Sequence, residues 1–329
     1  MSRLPITIAT WDYDRVRALV DGRVRVEGCD VNYITMPVEE CFERAYFHGE
    51  FDVAEIGFSP YLIALSRRVC PYVAVPAFLS RMFRHSAIYI RTDRGIEGPQ
   101  DLRGKIVGVP EYQMSAVMWV RGFLKDEFGI GASDINWVQG GLESAGRRDK
   151  FPLNLPEGFP LRSSNGATLS AMLAEGALDA VMSARVPSCF AAGHPQVRRL
   201  FPDYRAAEQD YYRRTGVFPI MHAVGIKREL LERHPWLAAS VYKAFVQAKR
   251  LADAEFVEMT ALKIGLPWVT AEFDATQAVM GADFWSYGVE GNRKTLEAMA
   301  RYSHEQGLAV RLLSVEEMFA PGNLSETRV

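Results

Sequence analysis

The chain has 329 residues, with 38 Lys and Arg against 40 Asp and Glu, for a formal charge of −2. That length suggests about two domains, and the balanced charge offers no basic field for nucleic acid or anionic lipid. No apolar run approaches the roughly 20 residues that span a bilayer. The opening "MSRLPITIATWDYD" lacks the apolar core and small-residue cleavage site of a secretory signal, so a cytoplasmic protein is expected. Cys29, Cys41, Cys70 and Cys189 are scattered without a CxxC pair, as in a protein with reduced thiols and no zinc-finger or disulfide framework.

The first third alternates β-rich runs with helical patterns. "ITIAT" (6–10) and "VNYITM" (31–36) read as strands, and "VEECFERAYFHG" (38–49) as a helix closed by Gly49. "DVAEIGF" (52–58) reads as a third strand. Ser59-Pro60 then supplies an N-cap serine and a first-turn proline for "YLIALSRR". Strand, helix, strand at this spacing implies parallel βαβ units. "SAIYI" opens another strand, with the cationic pair Arg84 and His85 at its mouth.

The theme repeats with strand "KIVGVP" (105–110), a helix over 113–128, a helix over 168–176 begun by Thr168 and ended by Gly176, and strand "ALDAVMSA" (177–184). Between them, 140–166 is rich in Gly, Pro, Ser and Arg and reads as a long loop, a kind that is often functional. Its Arg147-Arg148 pair looks like a solvated face. "MHAVGI" (221–226) carries His222 inside an apolar run. Beyond about residue 228 the chain turns helical: Val241, Phe245, Ala248, Ala252, Phe256 and Met259 keep one helical period, and 292–307 forms another helix with Glu297 and Arg301 one turn apart.

These elements give an α/β chain of two lobes, 1–92 plus 216–329 and 93–215, with the ligand expected between them at strand ends and helix N-termini. Asp12 and Tyr13 follow the first strand, and Ser59 begins a helix whose free N–H groups suit a carboxylate. Glu111, Tyr112 and Gln113 follow the 105–110 strand. Arg185 follows the 177–184 strand, and its planar fork matches a carboxylate.

The stretches "ATWDYDRVRALVDGRV", "FRHSAIYI", "VGVPEYQM", "YYRRTGVFPIMHAVGI" and "DFWSYGVEGNRKTLEAMARYSHEQGL" resemble the 4,5-dihydroxyphthalate decarboxylase family over essentially the whole chain. The resemblance implies a two-lobe, type II periplasmic-binding-protein-like fold with an interlobe cleft. It also implies loss of CO2 from 4,5-dihydroxyphthalate, or a related hydroxylated aromatic acid, to give 3,4-dihydroxybenzoate, and self-association into a homo-oligomer. Such chemistry needs a proton donor at the ring carbon, an acceptor for the catechol and an anchor for the second carboxylate. His85 or His222 is the expected donor, Glu111 or Asp12 the acceptor. Arg185, Ser59, Tyr13, Arg84, Tyr112 and Gln113 are the expected substrate contacts. No organic-cofactor motif is visible. An alternative gathers His85, Glu111 and His222 around a divalent metal that chelates the catechol. Competing functions are non-catalytic capture of an aromatic acid and a thiamine-pathway type of enzyme, which would require a reactive cysteine or histidine cluster.

Overall fold

The computed structural model describes residues 3–147 and 149–322, so Arg148 lies outside the described residues. Two sheets organise the chain. The first has strand order β2-β1-β3-β11-β4, built from β1 (Leu4–Thr10), β2 (Cys29–Thr35), β3 (Val53–Gly57), β4 (Tyr72–Arg81) and β11 (Ile220–Lys227). The second has order β10-β5-β9-β6-β7-β8, from β5 (Ile88–Arg91), β6 (Ile106–Val109), β7 (Asn136–Gln139), β8 (Leu161–Ser163), β9 (Ala180–Met182) and β10 (Val197–Arg199).

In the first sheet β1 runs parallel to both β2 and β3, while β11 slots antiparallel between β3 and β4. The returning strand expected at 221–226 therefore does rejoin the first lobe. Ile88–Arg91, read from sequence into that lobe, instead pairs antiparallel with β9 and β10 of the second sheet. The first crossing thus falls at 82–87, because β4, a ten-residue strand absent from the sequence reading, closes the first sheet at Arg81. The second crossing occupies 200–219.

Local signals held where capping chemistry was explicit. Gly49 ends the Val38–His48 helix in a left-handed conformation at φ 56°, and Thr168 accepts from the Ala171 N–H at the start of the Leu169–Glu175 helix. Ser59 is different. Gly57 is the N-cap and Ser59 the second residue of the Phe58–Ser66 helix; its backbone N–H donates to Ser115 Oγ at 3.0 Å and its own Oγ is buried without a partner. The helix expected through Met259 stops at Asp253, and Met259 is 71% exposed. Arg301 turns from Glu297 to Asp126 of the opposing helix.

The Ser115–Phe128 helix joins the lobes. Trp119 donates its indole N–H to Ile220 O at 2.8 Å, and Gly122 lies so close to Tyr302 that a Cβ there would come within 2.2 Å of the ring. One continuous apolar core runs through both lobes at this helix. No helix among the described residues is long and apolar enough to cross a membrane.

Candidate active site

A cavity of about 480 Å³ opens between the lobes. Its first-lobe wall is built by Trp11 and Tyr13 after β1, by Gly57 and Pro60 after β3, and by Met221 and His222 of β11. Its second-lobe wall carries Glu111, Ser115, Arg147, Lys150 and Arg185. Arg84, in the crossing, also lines it. The N-terminal residues of the Phe58–Ser66 and Ser115–Phe128 helices both border this space, which places the positive ends of two helix dipoles beside it.

His222 is aimed by the sheet. The β11–β4 pairing shifts register on both sides of it, and such irregularities re-aim side chains beside functional sites. Opposite His222 on β3 stands Gly57, which has no side chain, leaving the imidazole free to reach diagonally to Glu55. His222 Nδ1 lies 2.6 Å from Glu55 Oε1. Glu55 is fully buried within β3 and also accepts from the Tyr13 hydroxyl at 2.6 Å and the Trp11 N–H at 2.9 Å. Burial pushes the Glu55 carboxyl up, but the hydrogen bond and charge of His222, with the donors from Trp11 and Tyr13, outweigh it and hold the group below its ordinary value. Glu55 is therefore a carboxylate, Nδ1 carries the hydrogen between them, and Nε2 is the ring nitrogen left for chemistry. Burial, then the Glu55 charge, drives the Tyr13 phenol well above its usual range, so Tyr13 stays a neutral donor.

The cations divide into three settings. Arg84 is buried, donates its Nε–H to Met221 Sδ at 3.4 Å and has no carboxylate within 4.0 Å among the described residues. Burial lowers its guanidinium to about 10, against a raising influence from the more distant Glu208. Glu111 Oε1 accepts from both Arg147 Nε and Lys150 Nζ, at 2.5 and 2.8 Å. At the mouth, Arg185 reaches across to Glu39 of the first lobe at 2.7 Å.

Not every expected residue arrives here. His85 lines a separate groove with Tyr211 and Arg214. Its ring stacks on Phe123 at a centroid distance of 4.3 Å, and its buried Nδ1 has no hydrogen-bond partner among the described residues. Of the two histidines expected as proton donor only His222 lines this cavity, and the metal set of His85, Glu111 and His222 is not assembled. Among the described residues no group of three or more His, Cys, Asp or Glu is arranged to hold a metal ion. Asp12 is exposed and pairs with Arg17 at 3.0 Å, outside the cavity. Tyr112 is buried in the second lobe under the Arg121 guanidinium, and Gln113 grips the backbone of Phe151 through both amide atoms. Ser59, between the lining residues Gly57 and Pro60, is fully buried and does not line the cavity.

No family model matches the chain. Over 330 residues, and 100% of both chains, it is 43% identical to the 4,5-dihydroxyphthalate decarboxylase of Comamonas testosteroni. The chain belongs to the 4,5-dihydroxyphthalate decarboxylase family. A decarboxylase of the same name from Pseudomonas putida is 47% identical over 214 residues, covering 65% of this chain and 83% of that protein. Among solved structures, the aliphatic sulphonate binding protein SsuA of Escherichia coli matches with TM-score 0.55 and 13% identity over 98% of this chain and 99% of that one. A sulfonate-binding protein of Methylobacillus flagellatus matches equally, at 0.55 and 16% identity over 98% and 93%. At such identity these two speak for the fold alone, and they bear out the two-lobe binding-protein-like architecture.

Within this decarboxylase-family chain, sequence reasoning passed over Glu55 and Lys150 and read Arg147 as part of a solvated face, whereas it lines the cavity. Glu55 had a signal: a lone carboxylate inside a strand whose every residue is buried, a placement that demands partners. Arg147 and Lys150 sit in the 140–166 loop, where charge alone carries no direction.

Proposed function

We propose that the chain catalyses the non-oxidative decarboxylation of 4,5-dihydroxyphthalate to 3,4-dihydroxybenzoate and CO2 in the interlobe cavity. The observation that carries this reading is the Glu55–His222 pair facing the same small cavity as the unpaired Arg84. Each carboxyl-bearing carbon of the substrate has a hydroxyl para to it. Electron density pushed from that oxygen reaches the carboxyl-bearing carbon, which takes a proton from His222 Nε2. The C–C bond then breaks, its electron pair restores the aromatic ring, and CO2 departs. One proton is consumed per turnover and His222 recovers it from solvent. Glu55 keeps the ring oriented and stabilises its protonated form. Arg84 offers a desolvated guanidinium to the carboxylate that remains.

The four cysteines are free, which supports a reducing, cytoplasmic setting. Self-association belongs to the same reading, supported by the exposed Val257, Met259, Leu262, Leu266 and Trp268 of one short stretch; sedimentation at micromolar concentration tests it.

The decisive experiment supplies 4,5-dihydroxyphthalate in D2O and follows CO2 together with the aromatic product. The expected product carries one deuterium at the carbon that lost CO2. Tight binding with no CO2 release would reassign the cavity to solute capture.

A further inference from the structure

The cavity's charges are grouped in a way the reaction alone does not require. Arg84 is one positive pole: among the described residues its hydrogen-bond acceptor is a thioether, and Glu208 neither pairs with it within 4.0 Å nor lines the space. The second pole is on the opposite lobe. There one buried carboxylate, Glu111, serves two cations, Arg147 and Lys150, leaving a surplus of one positive charge. The remaining groups cancel: Arg185 meets Glu39 at the mouth, and Glu55 meets His222 when the imidazole is protonated. Tyr13 is neutral.

Both cations of the second pole have donors to spare. Arg147 spends Nε on Glu111 and approaches Glu39 only at 3.7 Å, while Lys150 spends one of its three N–H bonds on Glu111. They are also held in place. Gln113 fastens the next residue, Phe151, by two hydrogen bonds, Phe151 packs edge-on against Tyr46 of the first lobe at 5.3 Å, and Arg67 of the first lobe binds Pro152 O at 2.7 Å. The segment is thus a strap laid from the second lobe onto the first, and it carries Lys150 into the cavity with only 10% of its side chain exposed.

We propose that Lys150 and Arg147, oriented by Glu111, form a second anion subsite that makes the cavity selective for aromatic dianions over monoanions. In this assignment Glu111 is a positioning residue rather than the acid or base expected from sequence. The inference rests on the decarboxylase reading, and it adds a consequence. A dianionic substrate with protonated His222 leaves the cavity neutral. Transfer of that proton and loss of neutral CO2 keep it neutral, with a monoanionic product and an uncharged imidazole. Once His222 regains a proton from solvent, the product satisfies only one of the two poles, and a fresh dianion displaces it.

The test uses unreactive probes on the full-length protein: phthalate as dianion and benzoate as monoanion, titrated by calorimetry at pH 8, alongside turnover of 4,5-dihydroxyphthalate. Wild type is expected to prefer phthalate at least tenfold. Lys150→Met and Arg147→Met should each weaken phthalate about tenfold or more, the scale of one charge-assisted hydrogen bond, and leave benzoate within about threefold. Lys150→Arg should restore the preference. If both Met variants stay folded by circular dichroism and keep the wild-type ratio, or lose both probes equally, the subsite is overturned. Turnover by wild type with an unchanged ratio would sink the subsite and spare the decarboxylase reading. A collapsed ratio without CO2 release from wild type would do the reverse.

Discussion

Arg84 and His85 are consecutive residues, yet they serve opposite sides of the molecule. At the short turn between β4 and β5 the chain crosses between lobes. Arg84 enters the interlobe cavity, while His85 turns into a groove walled by Phe123, Phe201 and Tyr211. The second histidine of interest, His222, completes the contrast. Burial, helped slightly by Arg214, pushes His85 down to about 4, and no acceptor meets its Nδ1. His222 has a carboxylate on Nδ1 and a cavity beside it. One imidazole is a neutral packing unit and the other, in the proposed mechanism, the proton carrier; the environment, not the residue type, decides which.

The comparison is broken most directly by exchanging the two rings. His222→Gln should lower kcat at least about a hundredfold, the scale of general acid–base catalysis. His85→Phe should leave kcat within about threefold, or about 0.6 kcal/mol of barrier. Steady-state kinetics with 4,5-dihydroxyphthalate checks both. Equal losses would mean that the groove behind the crossing matters to turnover, and the division of labour would fail.

Glu55→Gln sharpens the same contrast. A hydrogen bond to a charged group contributes about 1.5–3 kcal/mol, so kcat should fall roughly 10- to 100-fold. Two further outcomes separate positioning from mere structure. The loss should fall on kcat with KM within about threefold, because Glu55 touches His222 and does not line the cavity. Glu55→Asp should recover part of the rate. A loss carried by KM with kcat unchanged would detach Glu55 from the proton donor.

How far the sequence carried these assignments follows from physics. Period and capping residues are local, so the β1, β3, β6 and β11 runs, the Gly49 terminus and the Thr168 cap were legible. So was the return of "MHAVGI" to the first lobe, because an apolar run of that length needs a sheet to bury it. Which face a crossing residue takes is not local, and Arg84 and His85 could not be told apart. Ser59 was misread because serine before proline fits a cap, whereas the N-cap lies two residues earlier at Gly57 and the hydroxyl is sealed inside. Arg147 and Lys150 were invisible because their role comes from Glu111, far away in sequence and buried in another element.

His85 itself yields a stability prediction of opposite character. Its folded value lies below the ordinary 6.5, so the neutral form is favoured in the native state. Its contribution is complete above about pH 6.5 and is lost as the pH falls toward 4, because the unfolded chain binds the proton first. At pH 5 that loss is on the order of 2 kcal/mol. His85→Phe can keep the stack on Phe123 and has no proton to gain. Its urea midpoint should therefore fall less than that of wild type between pH 7 and pH 5. Parallel declines would show that His85 is protonated freely in the folded protein.

The smallest effect is expected at the mouth. Glu39 joins Arg185 across the lobes at 2.7 Å, but the Arg185 side chain is 69% exposed and that of Glu39 33%. Such pairs contribute about 0–1 kcal/mol, and the lobes have a stronger tie in the buried Trp119–Ile220 hydrogen bond and the Gly122–Tyr302 contact. Glu39→Gln should therefore change kcat/KM by no more than about threefold at low salt, and salt near 0.5 M, where charges are screened within several ångströms, should erase the difference. A larger loss that persists in salt would mean that Glu39 does more than shield: by holding Arg147 at 3.7 Å it would belong to the anion site, and the boundary drawn between a charged mouth and a selective interior would have to move outward.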